Sequence, residues 1–176
     1  EGHWALTWVD QWASQGLVLG YPDGTFGPGR TVTRAEFAAL INRALGLSLA
    51  LSGPEVLFPG ETPDWYAETM AIAIEAGYIQ PVIDGEGGDA PGDHLTRGDL
   101  ATMLAAALRL PPADPATVLA DFADAADALD RHRAGLAALV EAGYMNGFPD
   151  GSLRPNEETT RAQAVTLLAR ALGQMY

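Results

Sequence analysis

The sequence predicts an all-α fold of three tandem helix-loop-helix repeats forming a pseudo-threefold trimer within one chain. Three observations carry that expectation: a segment that recurs three times, a helical apolar period in the second half of each copy, and glycine-rich turns at fixed places. The copies are GLVLGYPDGTFGPGRTVTRAEFAALINRALG from Gly16, GYIQPVIDGEGGDAPGDHLTRGDLATMLAAALR from Gly77 and GYMNGFPDGSLRPNEETTRAQAVTLLARALG from Gly143. The arginine of a shared Thr-Arg pair falls at 34, 97 and 161, a spacing of 63 and then 64 residues. The expected units are 1–47, 48–110 and 111–176, together one compact domain.

The first helix of each unit is expected to end at Gly16, Gly77 or Gly143, each left-handed and turning the chain into a loop. Its apolar face is read as Trp8, Val9, Trp12 and Ala13 in unit one. In unit two it is Met70, Ala73 and Ile74, and in unit three Leu136, Leu139 and Val140. The loop that follows carries Tyr21-Pro22-Asp23-Gly24 in unit one and Phe148-Pro149-Asp150-Gly151 in unit three. Proline presets φ at the first turn position there and glycine accepts positive φ. Unit two keeps Asp84-Gly85 but has Pro81-Val82-Ile83 before it, a degenerate loop.

The second helix places apolar residues 3, 6, 7, 10 and 11 positions after the arginine. These are Phe37, Leu40, Ile41, Ala44 and Leu45, then Leu100, Met103, Leu104, Ala107 and Leu108, then Ala164, Leu167, Leu168, Ala171 and Leu172, one helical face each time. Gly46 and Gly173 suit left-handed caps, and Arg109 replaces that glycine in unit two. Linkers rich in Pro, Gly, Ala and acidic residues run from Leu47 to Pro63 and from Leu110 to Asp130. Two helices of about a dozen residues do not bury their apolar faces alone, so the units are expected to pack on one another.

Thr33-Arg34-Ala35-Glu36 and Thr160-Arg161-Ala162-Gln163 fit the capping box, and Thr96-Arg97-Gly98-Asp99 keeps it with a shorter acid and a glycine that weakens the first turn. Capping explains the threonine and the acid. It does not explain an arginine at the first helical position, which the helix macrodipole opposes by about 0.3–1 kcal/mol each time. Two readings resolve the conflict. In one, free N–H groups at the helix start and the guanidinium together bind an external carboxylate or phosphate. In the other, the arginine pairs with an aspartate of a neighbouring unit.

Gly20 and Gly147 offer backbone that a sugar can approach closely. Tyr21, Phe148, Trp4 and Trp65 offer aromatic faces to a sugar ring or belong to the core, while Trp8 and Trp12 are assigned to the core.

Composition narrows the partner. Acidic residues outnumber basic ones by 23 to 10, and a formal charge of −13 repels nucleic acid and anionic lipid. An acidic ligand therefore requires a few well-placed arginines. No apolar stretch approaches the roughly 20 residues that span a bilayer, and no basic-plus-hydrophobic leader opens the chain, so a soluble chain is expected, with any leader either removed or outside this sequence. With no cysteine there is neither a disulfide nor a thiolate metal site, and no cofactor is expected. His3, His94 and His132 share no repeat position, and no nucleophile-base spacing appears, so no enzyme activity is expected. Asp121, Asp124, Asp127 and Asp130 read as the solvated face of a linker helix, and the single aspartate of each loop falls short of a calcium site.

Taken together, HWA near a helix start, GLVLGYPDGTFGP and TRAEFAALINRALG closely resemble the S-layer homology motif, in three copies covering essentially the whole chain. Family repeats open with a phenylalanine-acid segment, for which Phe58 and Phe122 are the candidates. The resemblance implies a secreted module at the bacterial cell surface that anchors an S-layer or surface protein non-covalently. Its implied ligand is an anionic, pyruvylated secondary cell-wall polysaccharide, held in grooves between units. Arg34, Arg97 and Arg161 are the implied carboxylate contacts, with Gly20, Gly147, Asp23, Asp150, Trp4 and Trp65 behind them. Assembly with S-layer neighbours and direct binding to peptidoglycan are the alternatives.

Overall fold

The computed structural model describes residues 12, 13, 16, 18, 20, 24–49, 64–83 and 90–173, the side chains of 64, 65, 81 and 83 excepted. Its helices are α1 (Arg34–Leu45), α2 (Asp64–Glu75), α3 (Gln80–Ile83), α4 (Arg97–Ala107), α5 (Pro115–Val118), α6 (Asp130–Glu141) and α7 (Arg161–Gly173). A 3-10 turn (Ala125–Asp127) precedes α6. Among the described residues there is no strand, only isolated bridges, so the chain is all-α. No described helix is long and apolar enough to cross a membrane.

The short segments that lead into α1, α4 and α7 form a closed cycle. The Val32 N–H donates to the Thr159 carbonyl (3.1 Å), Leu95 N–H to Val32 (2.8 Å) and Thr159 N–H to Leu95 (2.8 Å), so each segment gives one bond and takes one. Val32 and Leu95 are fully buried and Thr159 is 1% exposed. A buried N–H left unpaired costs about 1–3 kcal/mol, which makes the cycle hard to open at one point only.

The same pattern continues into the helices. Arg34 N–H donates to the Asp93 carbonyl (3.1 Å), Arg97 N–H to Glu157 (3.0 Å) and Arg161 N–H to Arg30 (2.8 Å). The next residue in each helix repeats it, with Ala35 to Pro91 (2.9 Å), Gly98 to Pro155 (2.8 Å) and Ala162 to Pro28 (3.1 Å). The third N–H goes to the capping threonine, Glu36 to Thr33, Asp99 to Thr96 and Gln163 to Thr160. All three capping boxes are complete, since Glu36, Asp99 and Gln163 accept in return from the threonine N–H. The expectation that free backbone N–H groups at the helix starts take part in anion binding is therefore overturned. Carbonyls of neighbouring segments occupy them, and those carbonyls also offset the positive end of each macrodipole beside the arginine.

The apolar faces behave largely as their spacing predicts. Phe37, Leu40, Ile41, Leu100, Met103, Leu104, Ala164, Leu168 and Ala171 are buried, as are Met70, Ala73, Leu136 and Leu139 on the first helices. Trp12 is buried too, whereas Ala13, expected on the same face, is exposed. Trp8 and Val9 lie outside the described residues. α4 packs on α6, α3 and α1, and α1 packs on α2 and touches α7. One polar strut crosses this core: the Tyr78 hydroxyl reaches Asn42 Oδ1 at 2.6 Å, and the Asn42 amide donates to the Thr69 carbonyl at 3.0 Å.

Gly16, Gly77 and Gly143 are left-handed, with φ of 70°, 79° and 72°. Gly46 caps α1 in that conformation, but Gly173 is the last residue of α7 and shows no positive φ. Arg109 does take the left-handed conformation (φ 52°) after α4, without a glycine's freedom. The expected linker helix before Asp130 is absent. Pro115 ends the preceding loop as the first residue of the four-residue α5, and Asp121 and Asp127 are exposed in turns.

Candidate functional site

A groove of about 240 Å³ is lined by the start of α4, the turn after α6 and α7. One wall is a single face of α7, since Gln163, Thr166, Leu167 and Arg170 are spaced i, i+3, i+4 and i+7. Tyr144, Met145 and Asn146, which follow the left-handed Gly143 after α6, and Arg97 complete the lining. Two guanidinium groups thus line one small groove in a chain of charge −13.

Arg97 is positioned rather than neutralised. Its Nε donates to the Leu153 carbonyl at 2.9 Å, and an Nη to the Asn146 carbonyl at 3.4 Å, both uncharged acceptors. The guanidinium also stands 4.9 Å from the centroid of the Phe148 ring, which carries Arg154 at 4.0 Å as well. Burial is the largest influence on Arg97 and lowers its pKa; Glu157 opposes this, Arg154 reinforces it and Asp124 opposes it again. A guanidinium stays charged throughout, so the cost of that burial is the relevant quantity. Thr166 also lines the groove; the residue is 8% exposed, and its hydroxyl oxygen is buried with no hydrogen-bond partner among the described residues.

The loop that holds Arg97 is itself clamped. Asp124 accepts from the backbone N–H groups of Leu153 and Arg154, both at 2.7 Å. Arg154 has a φ of 53°, a conformation that a non-glycine residue keeps only under restraint. Asp124 is therefore not a solvated bystander, as its spacing with Asp121 and Asp127 suggests. Phe122, two residues earlier, fills the space beside Gly147, where an added Cβ would sit 2.4 Å from the ring and 2.9 Å from the Ser152 carbonyl. Gly147 is small for packing against Phe122. Gly20 similarly faces the Thr25 carbonyl, 3.0 Å from an added Cβ.

Asp150 organises its own turn, taking the Ser152 hydroxyl at 2.5 Å, the Ser152 N–H at 3.0 Å and the Arg154 guanidinium at 3.0 Å. Those Ser152 bonds, followed by Arg154, lower its pKa to about 2. Phe148 serves as a platform for two arginines. Trp4, Tyr21 and Asp23 lie outside the described residues, as does the side chain of Trp65.

The three arginines share a burial but not a setting. Arg34 is 4% exposed and Arg161 is 7% exposed. Arg34 makes ion pairs with Asp99 at 2.9 Å and Asp93 at 3.3 Å, which is the second of the two readings the sequence allows. Arg161 stands 5.0 Å from the Phe26 ring centroid, and its charge, after burial, is the influence that lowers the pKa of Arg43. Arg43 and Arg170 occupy the same repeat position, nine residues after Arg34 and Arg161, while Ala106 stands there in α4. The sequence reasoning missed this second arginine. Its signal was available, because a cation recurs in two copies on the polar side of an otherwise apolar helix.

The fold and the groove together define a helical repeat module with a cationic cleft. Residues 1–38 and 130–165 match the S-layer homology domain, so the chain carries S-layer homology sequence in two segments. The chain is 30% identical over 176 residues to an amylopullulanase of Thermoanaerobacterium thermosulfurigenes, an alignment covering 96% of this chain and 9% of that protein. It is 27% identical over 168 residues to the S-layer protein EA1 of Bacillus anthracis, covering 96% and 19%. A third relative, an uncharacterized cell wall amidase of Bacillus anthracis, is 32% identical over 174 residues, covering 94% and 31%. The chain thus spans less than a third of the length of each of these relatives.

Proposed function

We propose that this chain is a non-catalytic anchoring module of the bacterial cell surface, built of three units. In this reading it attaches a larger protein to the cell wall by holding an anionic wall polysaccharide in the groove between its second and third units. The observation that carries the reading is the convergence of Arg97 and Arg170 on one groove of an acidic chain.

The relatives support the anchoring half. An amylopullulanase, an S-layer protein and a cell wall amidase share this segment and name no common reaction, and two of the three names place the protein in the S-layer or the cell wall, which supports a segment that anchors. The groove supports the ligand half. Two guanidinium groups select a carboxylate, the Gln163 amide NH2 donates to a sugar hydroxyl, and Tyr144 and Leu167 offer apolar surface to a ring. At about 240 Å³ the groove is smaller than a typical drug-sized site of about 300–1,000 Å³. That size suits one acid-bearing sugar, such as a hexose carrying a ketal-linked pyruvate. The wider field of the chain opposes a polyanion, so recognition is local, at the groove.

The test is sedimentation with purified cell-wall sacculi that retain their secondary polymer. The wild-type chain sediments with them, and Arg97→Ala and Arg170→Ala each leave it in the supernatant with melting curves still cooperative. Undiminished sedimentation of both folded variants defeats the proposal.

A further inference from the structure

In the middle unit the box Thr96-Arg97-Gly98-Asp99 departs from its two sister sequences at the third and fourth positions, and both departures have one cause. A Cβ on Gly98 would lie 2.3 Å from His132 Nδ1, so the histidine ring reaches this helix start only because residue 98 is glycine. The ring is 1% exposed and brings its Nε2 to 3.0 Å from Asp99 Oδ1, with Arg131 Nε 3.2 Å away on the same nitrogen. The other carboxylate oxygen of Asp99 accepts from Arg34 at 2.9 Å and from the Thr96 N–H at 3.1 Å. Asp99 has no exposed surface. Arg34 reaches Asp93 and the Ala90 carbonyl with its other amino group, both at 3.3 Å.

The corresponding position opposite Arg97 is held by Gln163, which is neutral and already serves the Thr160 N–H. One helix therefore carries Gln163 and Arg170 where another carries Asp99 and Ala106. The corner at Arg34 has gained an acid and lacks the counterpart of Arg170.

We infer that Asp99, seated by His132 and Gly98, is a built-in ligand for Arg34, so that Arg34 is a structural clasp between units and takes no external anion. An incoming carboxylate at Arg34 meets the fully buried charge of Asp99, where like charges repel most strongly, and the exposed Asp93 beside it. What looks like decay of the motif in the middle unit is a matched set of substitutions. The inference rests on the reading that Arg97 binds a carboxylate, and it adds that the chain has fewer anion sites than Thr-Arg motifs.

Arginine Nε–H signals of the ¹⁵N-labelled chain, assigned by substitution, are followed while a methyl hexoside with a 4,6-linked pyruvate ketal is added. The Arg97 signal moves and saturates while the Arg34 signal stays in place; an Arg34 signal that moves with the same saturation overturns the clasp. A titration in which no arginine signal moves counts against the groove reading alone, and the clasp is then decided by stability. Arg34→Met and Asp99→Asn each lower the melting temperature by about 6–12 °C, as breaking a buried pair does in a chain of this size. The double variant loses clearly less than the two losses summed. An Arg34→Met variant that melts within about 2 °C of wild type overturns the clasp whatever the titration shows.

Discussion

Asp124 is the residue whose removal is most informative, because its two carboxylate oxygens hold the turn that positions Arg97. The Leu153 and Arg154 N–H groups donate to it at 2.7 Å, Arg154 keeps a φ of 53°, and the Leu153 carbonyl accepts from Arg97 Nε at 2.9 Å. Hydrogen bonds to a charged group contribute about 1.5–3 kcal/mol each, and the half-buried position of Asp124 argues for the lower end. Asp124→Ala therefore destabilises by about 2–4 kcal/mol, which lowers the melting temperature of a domain this size by roughly 5–15 °C. Asp124→Asn keeps one acceptor oxygen and loses about half as much. Thermal melts followed by circular dichroism give the stability, and sacculus sedimentation below the melting range gives the binding, which weakens as Arg97 loses its support. An Asp124→Ala variant within about 0.5 kcal/mol of wild type would refute the reasoning.

Two further predictions concern stability alone. Burial raises the pKa of Asp99, but His132, the Thr96 N–H and Arg34 more than offset it and the net shift is downward from 3.8. A depressed carboxyl contributes stability that is complete above its unfolded value and lost as pH falls through the folded one. Melts between pH 7 and pH 2 should show wild type losing stability below about pH 4, with a shallower loss in Asp99→Asn. Arg109→Gly relieves a left-handed non-glycine residue after α4 and should stabilise by up to about 1 kcal/mol by urea denaturation, an effect that a destabilised variant would contradict.

What was legible in the sequence is what depends on near neighbours. The apolar period placed Phe37, Leu100 and Ala164 inward, the threonine boxes fixed three helix starts, and Gly16, Gly77 and Gly143 marked the turns. What was hidden depends on partners far along the chain. Nothing near Arg34 in sequence announces Asp99, 65 residues away, or tells that Gly98 exists to admit His132. Asp124 looked like one of a row of surface acids because its partners, Leu153 and Arg154, lie 29 and 30 residues on. The backbone cycle at the helix starts was equally out of reach, since a carbonyl has no letter in the sequence. The carbonyls of the neighbouring segments that continue that cycle take the N–H donors of the expected anion site and leave the guanidinium groups to carry it.

The most direct measurement of the central claim is calorimetric titration of the chain with purified wall polymer before and after mild acid removal of its ketal-linked pyruvate. Saturable binding to the intact polymer, lost on de-pyruvylation and lost in Arg97→Ala, is the predicted result. Equal affinity for the two polymers, or an Arg97→Ala variant that binds as wild type does, would contradict it.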